Sequence, residues 1–348
     1  MTSGRISQTS NVPLAPLTTF RIGGAARFFI EAGSEEEVRT ALALARESGL
    51  PLFVLGAGSN VLVGDEGVDG IVLRIASGAV SFEDAGGDAL LIADAGALWE
   101  DAVDAAAARG LSGIENLAGI PGTLGGAAVQ NIGAYGAELS ETFEYADVVD
   151  RATGGARRIA RAEAAFAYRS SFFKTRRASI ITRVALRLAK RTRPNLAYPD
   201  LARAQASGVP LVTPREIVRA VRAIRAGKLP SLAEEGTAGS FFKNPVIPRE
   251  RAAELAERFP GLPTFPQEDG SHVKVSLAWL LDRALSLKGY AKGRVRLYEK
   301  QPLIIVAKRG ATAAEVDALA DDVRDRVFAA TGIMLEREVE MFGTQKLL

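Results

Sequence analysis

Cysteine is absent from the 348 residues and histidine occurs once. The first absence excludes disulfides, thiolate nucleophiles and thiolate-ligated metals, and it fits a cytosolic compartment. The lone His272 lies in a polar loop, 267–272, and leaves no basis for a Ser–His relay or a histidine-built metal site. No apolar run reaches the roughly 18 residues of a membrane span. The N-terminal stretch MTSGRISQTSNVPLAP is polar and lacks the apolar core of a signal peptide, so the first ten residues are expected to be disordered. A net charge of +2 offers no electrostatic footprint for nucleic acid. Neither nucleic acid nor a membrane is therefore an expected partner. If the chain is an enzyme, its difficult chemistry falls to a cofactor that the protein orients.

What the chain does have is glycine, in two places. The stretch 119–136 reads GIPGTLGGAAVQNIGAYG, with Gly119, Gly122, Gly125, Gly126, Gly133 and Gly136 among eighteen residues. Its apolar residues follow neither a helical nor a strand period, and glycine costs backbone entropy in any regular element. A loop is the expected state, able to bring bare backbone N–H groups against an anion. A second turn, Gly56-Ala57-Gly58-Ser59-Asn60, follows the apolar run 51–55. Two such loops suggest a diphosphate held from two sides.

At 348 residues, two or three domains fit. Ser34 and Glu37 form a capping box for a helix carrying Val38, Leu42 and Ala45 and closed by Gly49. A dinucleotide-binding Rossmann unit would need a helix directly after the GAGSN turn. Strand-like segments follow instead, at 61–63 and 70–75, and Val61 stands where a third fingerprint glycine would fall; that fold is rejected. A helix is expected over 98–108, strands over 146–149, 180–182 and 184–188, and a second capped helix from Thr213-Pro214-Arg215-Glu216 to Gly227. Further on, a helix is expected over 277–284, a strand over 303–307, a helix opened by Thr312 and Glu315, and a final strand over 334–341. The class is α+β.

Three polar segments could carry chemistry. GSFFKNP at 239–245 groups a hydroxyl, an ammonium and an amide, although such a cluster is more often a satisfied turn. Tyr168-Arg169-Ser170-Ser171 reads equally well as surface, and LEREV at 335–339 as a charged edge strand. Their order changes the weighing. Together with TFRIGG at 19–24, GAGSN, the 119–136 loop and AYRSSFFK at 167–174, they resemble the UDP-N-acetylenolpyruvoylglucosamine reductase (MurB) family over about 17–343.

That resemblance implies a two-lobed FAD-binding module of the vanillyl-alcohol-oxidase/PCMH type plus a C-terminal α/β substrate-binding domain. The implied boundaries are an N-terminal arm, disordered or extended, over 1–16; lobe 1 over 17–78; lobe 2 over 79–228; the substrate domain over 229–333; and a C-terminal strand returning to the active site over 334–348. The implied activity is reduction of UDP-N-acetylglucosamine enolpyruvate to UDP-N-acetylmuramate, with non-covalent FAD and NADPH as co-substrate, in a cytoplasmic monomer. Cofactor contacts would come from Gly56, Ala57, Gly58, Ser59, Asn60, Gly119, Pro121, Gly122, Thr123, Gly125, Gly126, Asn131, Gly133, Ala134 and Tyr135. The resemblance places Arg169 and Glu338 as electrophilic contacts on the substrate carboxylate and Ser240 as proton donor. Glu338 helps there only if it is protonated or polarises through a hydrogen bond. Substrate contacts would be Tyr168, Tyr198, Lys228, Asn244 and Gln301, Tyr198 marking the subgroup with a tyrosine-bearing substrate loop. Glu340 departs from the pattern, standing where the family commonly has a basic residue, as does Ala167, where glycine is usual.

Two other readings compete: another flavin oxidoreductase on the same module, such as an alcohol or sugar oxidase, and a non-catalytic nucleotide-sugar binder. Many oxidases tether flavin through His or Cys, and neither lies near the glycine turns here. Arg169, Ser240 and Glu338 together argue against a decayed scaffold. Flavin should therefore leave the protein entirely on acid precipitation; yellow colour retained in the washed pellet would contradict non-covalent binding.

Overall fold

The fold is that of a computed structural model, which describes residues 6–191 and 194–343. The expected arm residues 1–5 and the tail 344–348 lie outside them. Gln8–Pro13 (β1) is not disordered: it pairs antiparallel with Ala25–Ala32 (β2), which supplies the ladder partners that a polar arm lacks on its own. Glu35–Ser48 (α1) starts at Ser34, whose Oγ accepts from Glu37 N, and stops at left-handed Gly49. Leu52–Leu55 (β3), Val61–Val63 (β4) and Val68–Ile75 (β5) follow. The first sheet has the order β1-β2-β5-β3, with β2 and β3 both parallel to β5. A strand follows the GAGSN turn, as the missing third glycine required.

The second sheet holds Val80–Ala85 (β6), Asp88–Asp94 (β7), Phe143–Asp150 (β8), Ala156–Ala160 (β9) and Ser179–Ala189 (β10), in the antiparallel order β9-β8-β10-β7-β6. The two expected strands over 180–188 are one, because the ladder with β8 runs from Ser179 to Leu186 with a register shift at Thr182, and the ladder with β7 takes over from Arg183 to Ala189. Strand β7 alternates strictly, burying Ala89, Leu91 and Ala93 against Trp99–Ala108 (α2) and Leu124–Gln130 (α3).

Helix α3 corrects the expectation that 119–136 holds no regular element. Thr123 caps it, accepting from Gly126 N. Gly125 lies so close to the end of β7 that a Cβ there would stand 2.9 Å from Ala95 Cβ. Glycine here trades helix propensity for close packing, which a count of periodicity does not register. Phe172–Arg176 (α4), Pro199–Ala206 (α5) and Pro214–Lys228 (α6) complete this region, α6 opening with the expected Thr213/Glu216 capping box.

The last third has its own core. Val246–Pro248 (β11), Arg249–Arg258 (α7), Thr264–Pro266 (β12) and His272–Val275 (β13) form one small unit. Val295–Leu297 (β14) and Ile305–Ala307 (β15) pair antiparallel beneath Ala313–Thr331 (α8). The helix expected over 277–284 widens into a π turn at Leu280–Ala284. The final strand is shorter than expected, Glu340–Phe342 (β16), because 335–339 pairs only at Arg337. Strand β16 runs parallel to β4, Glu340 opposite Val61, so the chain end returns to the first lobe. Phe20, Ile22 and Leu62 enter the C-terminal core directly.

Asp65 fastens the same junction. Its two carboxylate oxygens accept from Ala313 N at 2.8 Å and Ala314 N at 3.0 Å, free donors at the start of α8. Asp65→Ala should cost roughly 0.5–2 kcal/mol, as for loss of a helix cap. Urea unfolding of the two proteins measures it, and an unchanged midpoint would show that this clasp contributes nothing.

Candidate active site

A cavity of about 1070 Å³ lies between the two sheets and the C-terminal region. Both glycine turns line it. Ser59 Oγ donates to Pro121 O at 2.9 Å and ties one turn to the other. Among the described residues, the backbone N–H groups of Ala57, Gly58, Ser59 and Asn60, and of Ile120, Gly122 and Thr123, donate to no protein acceptor. Unpartnered donors on two facing turns are what an anionic diphosphate needs. Eight cationic side chains against four carboxylates border the cavity, so its field also favours an anion.

Of the expected cofactor contacts, Gly56, Ala57, Gly58, Ser59, Asn60, Gly119, Pro121, Gly122, Thr123, Gly125, Gly126, Gly133, Ala134 and Tyr135 border the cavity. Asn131 does not. It is fully buried with φ 45°, donating to Ala167 O and Glu138 Oε2 and accepting from Ser140 N, so its side chain is spent on holding the loop. Asn60 also has work within the protein: its Nδ2 donates to Glu338 O at 3.2 Å.

Arg169 occupies a tight turn closed by reciprocal bonds between Ala167 and Ser170, and its φ is 52°. A left-handed arginine is strained and marks a constrained position. Its Nε donates to Glu338 Oε1 at 2.7 Å and its Nη2 to Gly133 O at 2.7 Å. A Cβ on Gly133 would stand 2.9 Å from Nη1, so this glycine makes room for the guanidinium.

Ser240 and Glu338 reach the cavity through irregular pairing. Phe241 N donates to Leu303 O, Glu338 N to Phe241 O and Lys243 N to Glu336 O. Phe241 and Phe242 are both 1% exposed and anchor this segment in the core. Arg337 turns the other way, to Asp317 and Asp321 on α8, while Glu338 turns inward. The hydroxyl of Ser240 has no partner among the described residues and lines the cavity.

The expected substrate contacts divide. Tyr198, Lys228 and Gln301 line the main cavity. Tyr198 stands at the start of α5, its ring edge-on to Tyr135 at 5.1 Å, and burial pushes both hydroxyls up from their ordinary pKa. Lys228 Nζ pairs with Asp200 at 2.5 Å. Tyr168 and Asn244 line a separate cavity of about 410 Å³ behind the Arg169 turn. There Tyr168 lies between Arg169 and Lys274, each within 5.3 Å of its ring centre, and Asn244 Oδ1 accepts from Leu277 N.

Other lining residues escaped the sequence. Arg225 donates from Nε to Gly119 O, and its stem fills the space a Cβ on Gly119 would take. Gln130, Lys174 and Arg177 come from two helices and the turn after them. Gln130 and Lys174 sat inside quoted motifs, but no spacing signals that residues 44 apart meet.

Residues 26–160 match a family described as FAD binding domain. Fold and cavity thus define a flavin-dependent oxidoreductase, and the free N–H groups of the two turns, with the surplus of cations, fit FAD. Residues 231–342 match the C-terminal domain of UDP-N-acetylenolpyruvoylglucosamine reductase. The reductase of that name from Pseudomonas aeruginosa is 43% identical over 332 residues, 94% of this chain and 97% of that one. The one from Salmonella typhi is 39% identical, covering 95% of each. The crystal structure of the Thermus caldophilus reductase superposes with a TM-score of 0.67 at 28% identity, covering 97% of this chain and 98% of that one. The chain belongs to the UDP-N-acetylenolpyruvoylglucosamine reductase family.

Gly125 and Gly126 separate packing from ligand contact. A Cβ at Gly126 would meet only Thr123 Oγ1, at 3.4 Å, whereas one at Gly125 would press on Ala95. Gly126→Val should fold with a near-normal melting temperature and purify without flavin. Gly125→Val should lose roughly 1–3 kcal/mol of stability from overpacking. Full flavin occupancy in folded Gly126→Val would show that this loop is filler.

Proposed function

We propose that Arg169, Ser240 and Glu338 carry the substrate-reducing half of the reaction and that Tyr198, Lys228 and Gln301 hold the nucleotide sugar. The enzyme is an FAD- and NADPH-dependent oxidoreductase of peptidoglycan synthesis that reduces UDP-N-acetylglucosamine enolpyruvate to UDP-N-acetylmuramate. Held by the two glycine turns, FAD would supply the hydride-transfer chemistry that links NADPH to the enolpyruvyl group. Non-covalent binding agrees with the absence of cysteine and with His272 lying outside the cavity.

The observation that carries the assignment is one cavity wall holding a fixed guanidinium, a carboxyl group bonded to it and an unpartnered hydroxyl. Negative charge builds at C2 and spreads into the adjoining substrate carboxylate. Arg169, locked by Gly133 O and Glu338, is positioned to stabilise that charge without reorganising. Ser240 gives its proton to C2. A hydroxyl is a weak acid, but the acceptor is a strong carbon base, and Ser240 has no competing acceptor among the described residues. Lys228 offers a point charge to the diphosphate, which would displace Asp200 from it. Tyr168 and Asn244 act from the second cavity, supporting the turn that presents Arg169. Cytoplasmic residence belongs to the same proposal and rests on the cysteine-free composition; the small net charge and the lack of a membrane-length apolar helix among the described residues support the absence of nucleic-acid and membrane partners, and a monomeric state is proposed with them.

Anaerobic stopped-flow absorbance at the flavin band tests these roles one half at a time. Ser240→Ala should leave flavin reduction by NADPH nearly unchanged and slow reoxidation by the enolpyruvyl substrate about 10²–10⁴-fold, the range for losing a general acid. Arg169→Ala should slow the same half and weaken substrate binding. Equal losses in both halves for Ser240→Ala would make it a pocket-shaping residue, not the proton donor.

A further inference from the structure

Glu338 Oε1 receives two donors, Arg169 Nε at 2.7 Å and Gln130 Nε2 at 3.3 Å. Its other oxygen, Oε2, has no partner among the described residues and is not among the buried unpaired atoms, so it is open to the cavity. The Gln130 amide is held from behind: Lys174 Nζ donates to its Oε1 at 2.6 Å. An ammonium has no acceptor. It admits only the oxygen of the Gln130 amide, and the amide NH₂ must then face Glu338. The Arg169 guanidinium is likewise donor-only. A proton on Glu338 Oε1 would face two donors and find no lone pair, whereas a proton on Oε2 disturbs neither bond.

We propose that Lys174 and Gln130 are positioning residues that confine the proton of Glu338 to Oε2, so that the acid form presents its O–H to the substrate. The proposal rests on the reading of Glu338 as a substrate contact. It gives that reading a direction: a carboxyl that accepts on one oxygen and donates from the other.

The fold builds this relay deliberately far apart in sequence. Ser171 is 1% exposed; its Oγ donates to Val129 O at 2.7 Å and accepts from Lys174 N, pinning the start of α4 to the end of α3. Lys174 also donates to Arg169 O at 3.3 Å and faces Glu340 Oε1 at 3.3 Å from β16. Arg177 holds the other oxygen of Glu340 at 3.0 Å, and Lys243 adds a second like charge nearby. Burial pulls the Lys174 ammonium below its ordinary pKa, with Glu340 and Glu338 opposing and Lys243 adding to the fall. Glu340, the departure from the basic residue usual in the family, is thus the counter-ion that favours the charged, donor-only form of Lys174.

Lys174→Met keeps the length of the stem and removes the donor. The Gln130 amide is then free to turn its oxygen toward Glu338 and accept a proton on Oε1. In holoenzyme, the rate of flavin reoxidation by the enolpyruvyl substrate should fall about tenfold, and its pH limb should move up by roughly one unit, since losing a donor to the carboxylate favours the protonated form. Flavin content and reduction by NADPH should stay at wild-type values, and Lys174→Arg should restore the limb. If Lys174→Met does not fold, Gln130→Met reads the same limb with Lys174 intact. The decisive arm is a double-mutant cycle. In a Glu338→Gln background, Lys174→Met should add no further loss; losses that multiply would overturn the proposal. Wild-type reoxidation in Glu338→Gln alone would instead remove Glu338 from the mechanism.

Discussion

The bonds of Arg169 to Glu338 and to Gly133 are what the remainder of the site is organised around. They join a turn of the second lobe to the C-terminal segment across 169 residues of chain. The left-handed backbone at Arg169 costs roughly 1–3 kcal/mol, so the surroundings must impose it. They do so with the short-range pairing of Ala167 and Ser170 and with the absence of a side chain at Gly133. A guanidinium restrained in this way does not reorganise when charge appears beside it, which makes it more effective than the same group on a free side chain.

Closure of the cavity depends on the chain end. Strand β16 adds to β4, Asn60 bonds the carbonyl of Glu338, and Arg337 locks to α8. The GAGSN turn, the Glu338 carboxyl and the C-terminal region therefore share one seam. The period-2 alternation of LEREV acquires meaning only there: Arg337 and Glu338 serve opposite faces of a segment that pairs too briefly to be a strand.

The glycines do three different jobs that composition treats alike. Gly125 permits a helix to touch a strand, Gly133 and Gly119 make room for arginines, and Gly126 presents its bare edge to the cavity. Asn131 shows the converse, a residue whose motif suggested cofactor contact but whose side chain is consumed within the protein.

Local signals determined a good deal of this protein unaided. The N-cap at Ser34, the capping boxes at Thr213 and Thr312, the alternation of β7, the strand after the GAGSN turn and the order of the six motifs are all short-range facts. They made the α+β class, the rejection of a Rossmann unit and the family legible. Tertiary structure decided what depends on distance through space. It made a helix of 124–130 because β7 offered a surface, paired β1 with β2, and shortened the last strand for want of a partner. It placed Tyr168 and Asn244 on a different cavity from Tyr198 and Lys228. It also brought Gln130 and Lys174 together behind Glu338. Hydrogen-bond direction between side chains is a property of neighbours, and a linear chain records neighbours only along itself.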